Sequence, residues 1–537
     1  MDQTENKQSF DKKFLLINII FLIFLNINYS QEIKQIEIIS AGSFDRDEVL
    51  YPDGNILKKD KDVIVHLRHE DLDIYSNKSI FFQKENSVIS YGKVKLIQGD
   101  TLQLFCDSLN YDGKTKQMFA FGKVRLINSG MTLETNKLKL DRIIDEAYFF
   151  NGGKIIDKES TISSINGKYL IDKNKYEFER SVKVLNNSRI IESKKMHYYV
   201  ESEKSYFFDE TIITGDDYKI NCDAGFYDPI KLIGIFNKNA IIESNERIIH
   251  GDSIYFDEEK KYASISNNIK IIDNKEKLVL TGDYGELYEK KDSAIITKNP
   301  LAINILKRDS LFVKADTLYS VGKNAARTMK GIRNVKFLQG NFSGKADFIE
   351  IKKSLGLTIM ERKEISEKDI QIFTESEINK KNPVIWDNFS QISGDKIIFT
   401  ENLDTNELDS IKITNNVFIV EKDSISERNF NQIKGLKLDG KFLDNKLKNA
   451  VINQNAELIY YMYNDKNNLI GIDKAISSSI QIHFNNKSID EILFITDPEG
   501  VLYPENFLDP NETILDGFID RSDEKISNKS DLIEKQI

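Results

Sequence analysis

One short pattern returns along most of this chain and dictates what it can become. A polar residue, a spacer, then two apolar residues one position apart occur at Lys78 (KSIFF), Asp107 (DSLNY), Asn136 (NKLKL), Asn166 (NGKYL) and Lys194 (KKMHY). The pattern continues at Asp223 (DAGFY), Asp252 (DSIYF), Asp283 (DYGEL, the weakest) and Asp316 (DTLYS). Successive anchors lie 29, 29, 30, 28, 29, 29, 31 and 33 residues apart. Between them sits a second element: GKVKL at Gly92, GKVRL at Gly122, GGKII at Gly152, RSVKVL at Arg180 and NNIKII at Asn267. A unit this short cannot enclose a core alone, so its neighbours must stack on it.

Each unit reads as strand, with a break. In QGDTLQLFCDSLNYDG, Leu102, Leu104 and Cys106 share one face because side chains alternate. Leu109 and Tyr111 then continue one position out of step. The same slip separates Leu133 from Leu138, Ile220 and Cys222 from Tyr227, Leu280 from Leu287, and Val313 from Leu318. It is absent or ambiguous around Lys78 and Asp252. A slip keeps inward residues inward only if the strand bends there. The expected fold is all-β: bent strands stacked edge to edge into an elongated trough, a folded sheet with an apolar inner face. Parity places Val94, Leu96, Leu102, Leu104, Val124, Leu133, Ile220 and Leu280 on that face. The recurring aspartates read as corner residues bonding nearby backbone, not as catalytic acids.

Cys106 and Cys222 hold the same slot four units apart, roughly 19 Å at one strand layer per unit. That exceeds what a disulfide spans, so both are expected to be unpaired and inward. His66 and His69 (HLRH) invite a metal reading, but positions three apart on a strand face opposite sides. They are expected to be surface histidines; His197, His250 and His483 are isolated. The chain has no nucleophile elbow, Walker loop or CxxC pair. A catalytic carboxylate pair would occur once, whereas these aspartates recur, so no enzymatic role and no cofactor or metal is expected. Phe81, Phe82, Phe119, Phe121, Phe149, Phe150, Phe207, Phe208 and Phe236 fit either a packed core or an open groove, and periodicity does not choose between them.

Lys7, Lys12 and Lys13, an apolar run from Phe14 to Leu25 and a polar exit ending at Ser30 read as a signal peptide over 1–30. The run is too short to span a bilayer. Repeats are expected over 31–321, a degenerate repeat and charged connector over 322–381, a further β segment over 382–519, and a disordered tail over 520–537. The net charge of −10 argues against nucleic acid.

The alternation of GDTLQLFCDSLNYDG with AFGKVRLI, and HGDSIYFDEEKKYASISNNIKII, resembles the OstA-like (LptA-like) organic-solvent-tolerance repeat. The segments NPVIWDNFSQISGDKIIF and NQIKGLKLDGKF are similar to the long OstA-like proteins of Bacteroidota. The resemblance runs over about 33–510 and implies a periplasmic lipopolysaccharide-transport scaffold. The resemblance implies an elongated β-jellyroll, V-shaped in section, whose stacked units form a trough for acyl chains with the sugars outside. It implies trough lining for the eight inward residues above, and lipopolysaccharide or a related lipid as ligand. Like-folded partners would join by edge-to-edge strand pairing, and association with the outer membrane would follow. Nothing after Gly322 fits the C-terminal barrel of the outer-membrane member, so the soluble bridge is the nearer likeness. Two other classes stay open: a structural or adhesive solenoid with a closed core, and a β-helical carbohydrate-active enzyme.

Overall fold

The computed structural model describes residues 34–157, 160–186, 189–244, 246–306, 309–323, 326–362, 372, 374–387, 390–405, 407–423, 425–426, 428–485, 488–504 and 507–532. The expected signal peptide lies outside the described residues, as do residues 363–371 and 373 of the charged connector. The chain divides into two compact units, Met1–Asn187 and Ser188–Ile537. This division falls inside the repeat array rather than at residue 322.

Both units are built from antiparallel hairpins whose strands bend at mid-length. In the first, Ser87–Gln98, Leu102–Asp112, Gln117–Asn128 and Met131–Asp141 pair in succession. Their register shifts at 91/94, 105/108 and 135/137. In the second, Ile233–Ser244, Arg247–Asp257, Tyr262–Asp273 and Leu278–Tyr288 do the same. Every bend divides a strand into two halves, and like halves pair only with like halves. Each unit therefore has two arms. Arm A contains 94–98, 102–106, 124–128 and 131–135 in the first unit, and 240–244, 247–251, 269–273 and 278–282 in the second. Arm B contains the other halves.

The bend has a backbone cause. Gly92–Lys93, Gly122–Lys123, Lys238–Asn239, Asn267–Asn268, Arg333–Asn334 and Asn415–Asn416 are consecutive left-handed residues. Gly and Asn tolerate that region best. In the second unit the neighbouring strand supplies an aspartate to the corner. Asn239, Asn268, Asn299 and Asn416 donate through Nδ2 to Asp223, Asp252, Asp283 and Asp395 at 2.8–3.0 Å. The recurring aspartates are thus rungs across the bend. At Gly122 a Cβ would stand 2.5 Å from Asp107 Oδ2, so the glycine admits the carboxylate.

The bend is present at 77 and 252 as well, where alternation did not reveal it. Near Asn77 the inward positions are Ser76, Ser79 and Ser90, buried and bonded in a chain at 2.8 Å. Near Asp252 they include Gly251, and the register shifts between His250 and Ser253. Small or polar inward residues hid the slip. The array also keeps its phase beyond Gly322. Thr328–Gln339 and Phe342–Lys352 pair with the usual shift at 332/335 and the Asn334–Asp316 rung. That stretch is a regular repeat and not a degenerate one.

The tail expected to be disordered over 520–537 is a second departure as far as residue 532, and its last residues lie outside the described ones. Residues 508–532 lie along the outer face of arm A of the second unit and run back down the stack. Leu508 and Leu515 pack with Phe418, Val420, Ile459, Tyr461 and Ile472. Gln432 bonds Thr513 and Leu515, and Gln391 bonds Ile519 and Arg521, at 2.7–2.9 Å. Glu524 then pairs with Lys345, and Ile526 and Leu532 close on Leu338. A few apolar contacts suffice here because glutamine side chains satisfy the strap's backbone. Such spacing shows no strand or helix period.

Candidate functional site

The two arms of each unit face one another, and what lies between them differs. In the first unit the interior is filled. Val94, Leu96, Leu104, Val124 and Leu133 are at most 1% exposed and Leu102 is 5% exposed. The arm tips are tied by a polar cluster around the buried Arg142. Arg142, on an arm B turn, reaches Asp71 and Gln98 on arm A turns and donates to the Tyr111 hydroxyl at 2.8 Å. Lys116 pairs with Glu70 at 2.8 Å.

His69 belongs to this cluster and corrects the surface reading: it is 1% exposed. Its Nε2 meets the Lys34 carbonyl at 3.0 Å and must donate, so Nδ1 accepts from Tyr111 at 2.6 Å. Burial lowers its pKa, which keeps the ring neutral, and burial pushes the Tyr111 hydroxyl up to about 12. His66 points to the other face, stacks on Tyr75 and bonds Asp73 at 2.7 Å. The two histidines do not converge.

In the second unit the arms enclose a cavity of about 480 Å³. Arm A contributes Ile220, Ile242, Ile249, Ile271, Leu278 and Leu280; arm B contributes Phe256, Ala263 and Leu287. Ile242 and Ile249 point inward yet are only half-buried, because they border this space. The walls are apolar and the mouth, between opposed turns, is charged. Arg189 on arm A pairs with Glu258 on arm B. Arg327 on arm B pairs with Asp273 on arm A at 3.3 Å, and Arg247 reaches the same carboxylate oxygen through Nε at 3.2 Å. Burial would raise the Asp273 pKa, but the Glu276 backbone N–H and both arginines outweigh it and hold it below the usual carboxylate range. Asp273 is therefore a fixed negative charge at neutral pH. Arg189 lies 4.6 Å over the Tyr227 ring, whose buried hydroxyl has no hydrogen-bond partner among the described residues. Burial raises the Tyr218 hydroxyl pKa, against the opposing charge of Arg189.

Of the eight inward residues, then, six sit in the filled interior of the first unit, and Ile220 and Leu280 line the cavity of the second. The charged mouth was not legible: its members come from turns of several repeats and share no spacing. Cys106 and Cys222 are free and buried, and burial pushes both thiols up to about 12. The phenylalanines divide between faces. Phe81, Phe149, Phe207 and Phe236 are buried, while Phe119, Phe150 and Phe208 are exposed. Among the described residues no cluster of His, Cys, Asp and Glu could hold a metal ion, and no helix is long and apolar enough to cross a membrane.

Residues 34–194 match the family described as OstA-like protein. Among solved structures the chain is similar to LptH from Pseudomonas aeruginosa, described as the LptA-homologous periplasmic component of a lipopolysaccharide transport device. That match has 15% identity and a TM-score of 0.18, and covers 21% of this chain and 80% of that one. No curated protein matches.

Proposed function

We propose that this chain, OstA-like over residues 34–194, is a periplasmic scaffold that shields the acyl chains of lipopolysaccharide or a related lipid on its way to the outer membrane. The observation that carries the reading is the cavity between the arms of the second unit, apolar along its walls and charged at its mouth. An acyl chain gains about 0.8 kcal/mol for each CH₂ removed from water, and a volume of this size suits a ligand's apolar part. The charged mouth leaves a polar headgroup in water. Direction of movement comes from outside the chain.

Partners of the same fold would add at open strand edges. Among the described residues Glu37–Ser40 and Ser43–Arg46 each pair on one side only, as do Ser488–Thr496 and Glu499–Tyr503. Such edges accept a strand from a partner by β-augmentation. The last two carry exposed Leu493, Ile495, Val501 and Leu502.

The filled first unit favours a second reading for that part, a closed scaffold, and one experiment separates the two. A photo-crosslinking residue at Leu280 should capture lipid in intact cells, while the same residue at Thr281, one position on and facing out, should not. Equal capture at both, or none at Leu280 in folded protein, sinks the transport reading. Capture at Leu104 but not Gln103 would show that the first unit also opens to admit lipid.

A further inference from the structure

In the ion-paired part of the cavity mouth positive charge locally exceeds negative, although around the whole cavity six acidic residues face four basic ones. Three guanidiniums, Arg189, Arg247 and Arg327, meet two carboxylates, Glu258 and Asp273. Arg247 and Arg327 share one oxygen of Asp273, so one positive charge there is not neutralised. Arg247 engages Asp273 through Nε alone and is one-third exposed, which leaves its terminal nitrogens for a further acceptor. Arg327 is 12% exposed and is fixed by the Gly322 carbonyl as well as by Asp273. The other acids at the mouth do not cancel this charge as effectively. Asp216, Asp217 and Glu289 are exposed, where water and salt screen them, and Asp292 is tied to Lys323 at 3.0 Å.

We propose that Arg247 and Arg327 form a headgroup site selecting amphiphiles with an acidic head, a carboxylate or a phosphate, whose alkyl chain enters the cavity between the arms. A planar guanidinium presents parallel N–H donors to either anion. In a partly desolvated mouth such a bond is stronger than in water. The proposal rests on the lipid-binding reading above and adds to it a choice of head.

Four probes test it on the full-length mature protein at neutral pH: palmitate, hexadecyl phosphate, hexadecanol and inorganic phosphate. Palmitate and hexadecyl phosphate should both bind about tenfold or more tighter than hexadecanol, and inorganic phosphate alone should bind far more weakly. The ratio of the two acidic amphiphiles then says which head is preferred. Arg247→Gln leaves Arg327 to hold Asp273, so the fold should survive, as an unchanged thermal transition would confirm. In that variant the preference for acid over alcohol should fall several-fold while hexadecanol binding stays constant. Equal binding of acid and alcohol to the native protein overturns the headgroup site and leaves the lipid reading standing. Binding of inorganic phosphate as tight as that of hexadecyl phosphate also overturns it, since the chain would then contribute nothing. If no amphiphile binds, the lipid reading itself fails.

Discussion

At single residues, the aspartates at the bends illustrate how far a sequence can be read. Their recurrence identified them as corner residues, and the structure adds the partner, an asparagine held in the left-handed region on the adjoining strand. That asparagine was present in the quoted stretch NNIKII, but its donor role depends on which strands adjoin. Asp252→Ala removes the 2.9 Å bond from Asn268. Because the pair is exposed, the loss should be about 1 kcal/mol or less by chemical denaturation. A loss several times larger would mean the corner carries more than one hydrogen bond. Glu421 behaves differently. It is 5% exposed, and burial pushes its pKa up to about 7. Asp423 raises it further, while the Ile489 N–H and Asn431 oppose the rise. An unfolded glutamate titrates near 4.3, so between these values the folded state holds the extra proton. The stability from this group is complete below about pH 4 and is lost as pH rises through about 7. Glu421→Gln should remove that slope and stabilise the protein at pH 8, by at most about 4 kcal/mol. A pH–stability profile identical to that of the native protein would disprove the assignment.

Among the elements, hairpins were legible and ties between them were not. Alternation within a strand is local, so the bends and inward faces followed from parity wherever the inward residues are large and apolar. The serine chain at Ser76, Ser79 and Ser90 shows where parity loses its signal. The bridges between arms, Arg142 to Asp71 or Arg327 to Asp273, join residues 71 and 54 positions apart, and no spacing rule links them. The strap over 508–532 is the plainest case. Deleting residues 508–537 should leave the hairpins paired but uncover Phe418, Val420, Ile459 and Tyr461. Amide exchange should then accelerate across 417–422 and 456–463, with little change across 87–141. Unchanged exchange in the first two segments would show that the strap adds no stability there.

For each unit as a whole, the stacked design makes stability a sum of near-neighbour terms. The repeat could be recognised because such terms impose a common phase on the sequence. What fills the space between the arms obeys no such phase. Similar aliphatic rows close into a filled interior in the first unit and border a cavity in the second. The strap breaks the near-neighbour rule by joining strands from Leu311–Lys314 to Leu469–Asn485 through a segment that follows all of them in the chain. During synthesis those strands emerge first and wait, with an oily outer surface, for their cover. A polypeptide that ends between residues 485 and 508 has those strands without their cover, and the surface at Phe418, Val420, Ile459 and Tyr461 stays bare to solvent and to any apolar partner.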